Sequence, residues 1–148
     1  MGRTTEAGEI GEGAILADIR RQGHGVAIPF GHSLPFDLIV IRHETGALER
    51  VQCNYTTSDG KVVRVVVGSH SAWVGYRYTA QMVDWMAVYD ATTNRCFYIP
   101  AWTWDGQTQL NLRLAPTANG QKRGVRFAFP YDTLAGEPQQ LSASGRVE

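Results

Sequence analysis

Two short runs constrain this chain most, Phe36-Asp37-Leu38-Ile39-Val40 and Val51-Gln52-Cys53-Asn54. Both read as strands of branched apolar residues, and each carries a polar side chain where a buried strand ordinarily excludes one. Between them, His43-Glu44-Thr45-Gly46 has the composition of a tight turn. The runs are therefore expected to pair as neighbours, with Asp37 beside Gln52 and Asn54. Side chains on a strand alternate, so Gln52 and Asn54 share one face while Cys53 points away. The expectation is a small polar cluster on one side of a sheet.

The rest of the chain reads as a single domain over residues 1–135, followed by a frayed tail, 136–148, rich in Gln, Ser and Gly. A helix is expected from about Glu6 to Gln22, with Ile10, Ala14, Ile15, Leu16, Ala17 and Ile19 as its apolar face and Gly23 as its end. Glu9 and Glu12, three residues apart, share a face of that helix, where acids either complement the helix dipole or serve a site. Gly25–Phe30 reads as a strand closed by the loop from Gly31 to Pro35. The Asp59-Gly60 turn predicts a hairpin in which Lys61–Val67 folds back on the Gln52 strand, with Asn54 opposite Val65. A loop follows from Gly68 to Tyr78. Met82 to Tyr89 should form a helical turn leading into a buried strand, with Arg95–Pro100 as its hairpin partner through Ala91–Asn94. Trp102–Gly106 reads as a loop, and Leu110, Leu112 and Leu114 mark a half-buried strand. Trp85, Phe97 and Tyr98 are assigned to the core, and His24, His32, His43 and His70 to loops without ligand spacing.

Cys53 and Cys96 lie in apolar runs without metal or redox spacing, which predicts reduced thiols and a cytoplasmic protein. No stretch has the length of a membrane span, so no membrane partner is expected. Fourteen basic and fourteen acidic residues cancel, which argues against indiscriminate coating of nucleic acid. Their distribution is uneven: Gly106 to Tyr131 contains Arg113, Lys122, Arg123 and Arg126 and no acid. That run is either a phosphate-binding surface or a solvated face. Trp73, Tyr76, Arg77 and Tyr78 interleave aromatic and basic groups, a composition suited to contact with DNA or a partner subunit.

A divalent ion such as Mg2+ takes oxygen ligands and keeps several waters. Asp37 on one strand, Gln52 on the next and Glu12 from the helix fit that requirement, and the backbone carbonyl of Cys53 can join them. The plainer alternative makes Asp37 a turn residue and Gln52 the partner of a buried backbone group.

An ordered set of segments adds to this: Glu9-Ile10-Gly11-Glu12, Gly25 to Gly31, Phe36 to Val40, Val51-Gln52-Cys53, Val83 to Tyr89, Tyr98-Ile99-Pro100, and Leu112 through Asn119-Gly120-Gln121-Lys122 to Arg126. Together they resemble the group I intron-associated homing endonucleases of the PD-(D/E)XK superfamily. That resemblance implies an α/β fold with a mixed sheet flanked by helices. It also implies Mg2+-dependent cleavage of double-stranded DNA, with Mn2+ as a substitute ion, and a homo-oligomer, dimer or tetramer. Carried over by position, Asp37 is the main metal ligand, Gln52 the second, and Glu12 the helix acid, with Glu9 as the alternative. The expected DNA contacts are Arg77, Tyr78, Arg113, Lys122, Arg123 and Arg126. The chain departs from the family pattern at one place: Asn54 stands where a lysine is expected two residues after the Gln. Such a lysine positions the attacking water and offsets charge on the phosphate, and Asn54 can only orient a water. The alternative is therefore a catalytically weakened or inactive DNA-binding protein of the same fold. A third reading, an interaction domain unrelated to DNA, rests on the neutral net charge.

Overall fold

The computed structural model of the chain describes residues 2–31, 33–70, 75–77, 80–104, 106–116, 119–120 and 124–135, with the backbone alone for 2–4, 68–70 and 75–77. Helix α1 (Gly2–Arg21) opens the fold and is closed by Gly23 at φ 97°, a left-handed conformation that glycine adopts without steric cost. Strands β1 (Gly25–Ala27), β2 (Leu38–Ile41) and β3 (Leu48–Thr56) follow as an antiparallel meander, with Leu38 opposite Val51 and Ile41 opposite Leu48. The predicted tight turn is present, closed by the Arg42 amide donating to the Ala47 carbonyl. After β4 (Val62–Val66), β5 (Gly68–His70) and β6 (Gly75–Arg77), the chain returns through β7 (Trp85–Asp90), which lies parallel to β3. Strand β8 (Arg95–Pro100) completes a five-stranded mixed sheet of order β1-β2-β3-β7-β8. A single helical turn α2 (Ala101–Trp104) and strand β9 (Gln109–Arg113) follow.

The two faces of this sheet are covered differently. Ile15 and Ile19 of α1 pack on Leu38, Val40, Val51, Trp85, Ala87 and Tyr98, and each buried Ile contributes roughly 2 kcal/mol. On the other face, β4 and β9 form a separate antiparallel ribbon whose Val63, Val65, Leu110 and Leu112 close over Met86, Val88, Phe97 and Ile99. The result is a helix–sheet–ribbon sandwich.

Several expectations give way. Strand β4 does not pair back on β3 through the Asp59-Gly60 turn; its partner is β9, and β3 gives that edge to β7. The turn forms, with Asp59 Oδ1 accepting from the Lys61 and Val62 amides, but it swings the chain out of the sheet plane into the second layer. The first strand is three residues rather than six. The Gly68–Tyr78 loop contains the small β5–β6 ladder, and the loop expected at Trp102 begins as helix α2. His24 lies in the connection between α1 and β1, as expected, but it is buried there, 6% exposed, and its Nδ1 accepts the His43 amide at 3.2 Å. His32 and the tail 136–148 lie outside the described residues.

Candidate functional site

Strand β2 begins at Leu38, one residue after Asp37, and that late start opens the gap at which the candidate site lies. The Asp37 amide still donates to the Val51 carbonyl at 2.8 Å, which holds the residue against β3. Where the ladder next asks for a backbone acceptor, the Cys53 amide instead donates to Asp37 Oδ2 at 3.0 Å. Asp37 makes no other hydrogen bond among the described residues. Burial pushes its carboxyl above the usual range, and the Cys53 amide offsets part of that shift.

The N–H and C=O of one strand residue point the same way, so the Cys53 carbonyl also faces the gap left by β2. Among the described residues it meets a side chain there: Gln52 Nε2 donates to it at 3.4 Å. Burial, together with the negative charges of Asp37 and Glu12, pushes the Cys53 thiol well up, so the sulfur stays protonated and only the carbonyl is a plausible donor to a hard cation.

Glu12 arrives from the helix side. Gly11 makes the approach close: a Cβ built there would lie 3.2 Å from the Tyr55 Cβ and 3.4 Å from the Asn54 carbonyl. Glu12 then lines, with Asp37, a cleft of about 210 Å³ walled by Ile28, Pro29, Gly31, Leu34 and Phe36. Glu9 is exposed and does not line that cleft, which separates the two candidate acids. The sequence does not mark Gly11 out: Gly8 and Gly13 also stand beside acids inside the helix, where each glycine costs about 1 kcal/mol, and a Cβ at either meets nothing within 4 Å.

Among the described residues no three His, Cys, Asp or Glu side chains converge on one metal position. The donors at the gap are two carboxylates, an amide and a carbonyl. That set of hard oxygens suits Mg2+ with a largely aqueous shell, and it does not suit a thiolate or imidazole metal.

Asn54 lies on the same strand face as Gln52, but its Nδ2 is 2.8 Å from the Met86 Sδ on β7. Its amide is turned along the sheet toward the ribbon layer. Of the predicted DNA contacts, Arg113 ends β9 and bonds to the carbonyls of Ala115 and Pro116, and Arg126 lines a cleft of about 650 Å³ with Gln109, Asn111 and Tyr131. Arg77 belongs to β6, described by its backbone alone. Tyr78, Lys122 and Arg123 lie outside the described residues.

A family model described as PD-(D/E)XK endonuclease matches residues 2–134. No curated protein matches the chain. Among solved structures, the bacterial homing endonuclease I-Ssp6803I superposes with a TM-score of 0.65 at 23% identity, covering 88% of each chain. At that identity the likeness is one of fold.

Proposed function

The chain belongs to the PD-(D/E)XK endonuclease family, and from that premise we propose that it is a Mg2+-dependent endonuclease of the intron-associated homing type, hydrolysing phosphodiester bonds in double-stranded DNA. The observation that carries this reading is the gap beyond Leu38, where Asp37, the Cys53 carbonyl and the Gln52 amide meet and into which Glu12 leads. Asp37 and Glu12 would hold the ion directly, with Gln52 turning its amide oxygen and Cys53 lending its carbonyl. When bound, such an ion offsets charge on the scissile phosphate and lowers the pKa of a coordinated water. Ile28, Leu34 and Phe36 give the cleft apolar walls, and Asn54 orients the attacking water if it leaves Met86. The two free cysteines suit a reducing, cytoplasmic setting. No helix among the described residues is long and apolar enough to cross a membrane. A chain of 148 residues covers a short stretch of duplex, so reading a long target calls for a dimer or tetramer.

One observation favours the second reading, a DNA-binding protein with weakened cleavage: the residue in the lysine position is tied to Met86 rather than presented to the cleft.

The test is digestion of a complex duplex substrate with Mg2+ or Mn2+, beside an Asp37→Asn protein, with binding followed by gel shift. Discrete cuts by the wild type, lost in the variant while its binding persists, are expected. Cutting by the variant at the wild-type rate would sink the site assignment. Binding without any cutting by the wild type would leave the second reading standing in place of the first.

A further inference from the structure

The ribbon of β4 and β9 covers the sheet with one face and leaves the other to solvent. Its register places Val62 opposite Arg113, Arg64 opposite Asn111 and Val66 opposite Gln109. Directly opposed residues share a face, and these six make up the outer one. Arg64, Val66, Gln109 and Asn111 are exposed, and Val66 keeps half its surface in water. An outer face stabilised only for solubility would be expected to mix both signs of charge. This one has no acid, and the segments that carry it, residues 60–83 and 106–131, hold half of the chain's fourteen basic residues and none of its fourteen acidic ones.

Resting on the endonuclease reading above, we infer that this outer face is the sequence-reading element, entering the major groove of the duplex with Arg64, Gln109 and Asn111 against base edges. Three features support it. A two-stranded ribbon matches the width of the major groove, and five residues at the rise of a strand extend about 17 Å, roughly five base pairs. The side chains are the ones whose geometry discriminates there: an arginine fork for guanine, Asn or Gln amides for adenine, and an apolar group such as Val66 for the thymine methyl. The key cation is also available, since Arg64 makes no hydrogen bond or ion pair with any described residue. The nearby Asp59 is committed to the amides of Lys61 and Val62. Arg113 is held by the Ala115 and Pro116 carbonyls, which suits a fixed phosphate contact more than base readout.

The test is selection of bound duplexes from a randomised library, in the Asp37→Asn background so that binding is read without cutting. It compares that protein with versions also carrying Arg64→Ala or Asn111→Ala, and far-UV circular dichroism checks that these surface variants fold. Each variant is expected to lose preference at its own one or two positions of the selected sequence, by about ten- to a hundredfold, while preference elsewhere and affinity for random duplex stay near the parent level. A uniform loss of affinity with the sequence preference intact would reassign these residues to phosphate contact and overturn the inference. So would unchanged selection in both variants. Failure of the parent to enrich any duplex, or to bind DNA at all, would instead remove the homing endonuclease reading on which the inference stands.

Discussion

At the scale of single residues, the site is a matter of which atoms a strand leaves unpaired. Asp37 and Gln52 stand out in the sequence as polar positions because a period of two makes a polar residue in an apolar strand conspicuous. That the Cys53 carbonyl meets the Gln52 side chain rather than strand β2 is not legible there, since it depends on β2 beginning only at Leu38, and strand ends are set by three-dimensional pairing rather than local propensity. Because Asp37 has one carboxylate oxygen committed to the Cys53 amide, a bound ion should stabilise the native state by mass action. Thermal melts with and without Mg2+ should show the wild type gaining about 1.4–2.7 kcal/mol at ten to a hundred times the dissociation constant, and Asp37→Asn gaining nothing. Equal gains in both proteins would place the ion elsewhere. Asn54 gives a second expectation. Asn54→Lys breaks the contact with Met86 and returns a cation to the strand face shared with Gln52, so single-turnover cleavage should rise by about ten- to a hundredfold. An unchanged rate would mean that another group already supplies that charge.

At the scale of elements, the chain's hairpins were readable and its long-range pairings were not. The β2–β3 and β7–β8 hairpins follow from turn chemistry, whereas the Asp59-Gly60 turn carried the same local signal and yet delivers β4 to β9. The competition is decided by β7, whose buried Trp85, Met86, Ala87 and Val88 need cover on both faces and so take the central place beside β3. The helix is held to β3 by the Gly11 contact, which yields an element-scale prediction. Gly11→Val presses methyl groups on the Tyr55 backbone and should cost about 1–3 kcal/mol, with cleavage falling because Glu12 moves with the helix. Gly8→Ala, where a Cβ meets nothing within 4 Å, should instead stabilise by up to about 1 kcal/mol and leave cleavage unchanged. The loop after β3 is clamped by buried Asp90, which accepts from the Ser58 amide and hydroxyl, the Thr92 amide and the Thr93 hydroxyl. Burial alone would push its carboxyl up, but these bonds outweigh it and hold it below the usual range. A lowered native pKa means that the unfolded chain binds more protons as the solution is acidified, so this stabilisation is full above about pH 4 and is lost as pH falls through the native value. Asp90→Ala should cost about 3 kcal/mol at neutral pH. Denaturant midpoints of the two proteins should draw together as the pH falls through the native value; a constant gap would show that the carboxylate charge is not what the clamp uses.

At the scale of the whole molecule, a formal charge of zero conceals an uneven distribution of charge along the chain. Acidic groups concentrate on α1 and around the central sheet, where Asp84 is bound by Arg50 and Glu49 by Arg42 and the Trp85 indole. Those pairings spend two of the sheet's arginines on structure. The ribbon and the segments that continue it carry cations without acids, so a polyanion meets a local field that the net charge does not report. The expected signature is salt dependence. If four phosphates are neutralised, the log–log slope of affinity against salt is about −3.6, and raising salt from 50 to 200 mM weakens binding by about a hundredfold. Replacing one phosphate-contacting cation, with Arg113→Ala as the first choice, should reduce the slope by about one and weaken all sequences alike. Arg64→Ala should alter the preferred sequence far more than the slope. A flat salt response would remove DNA as the partner and make the neutral net charge the better guide, because no duplex can be bound through several phosphates without releasing its counterions.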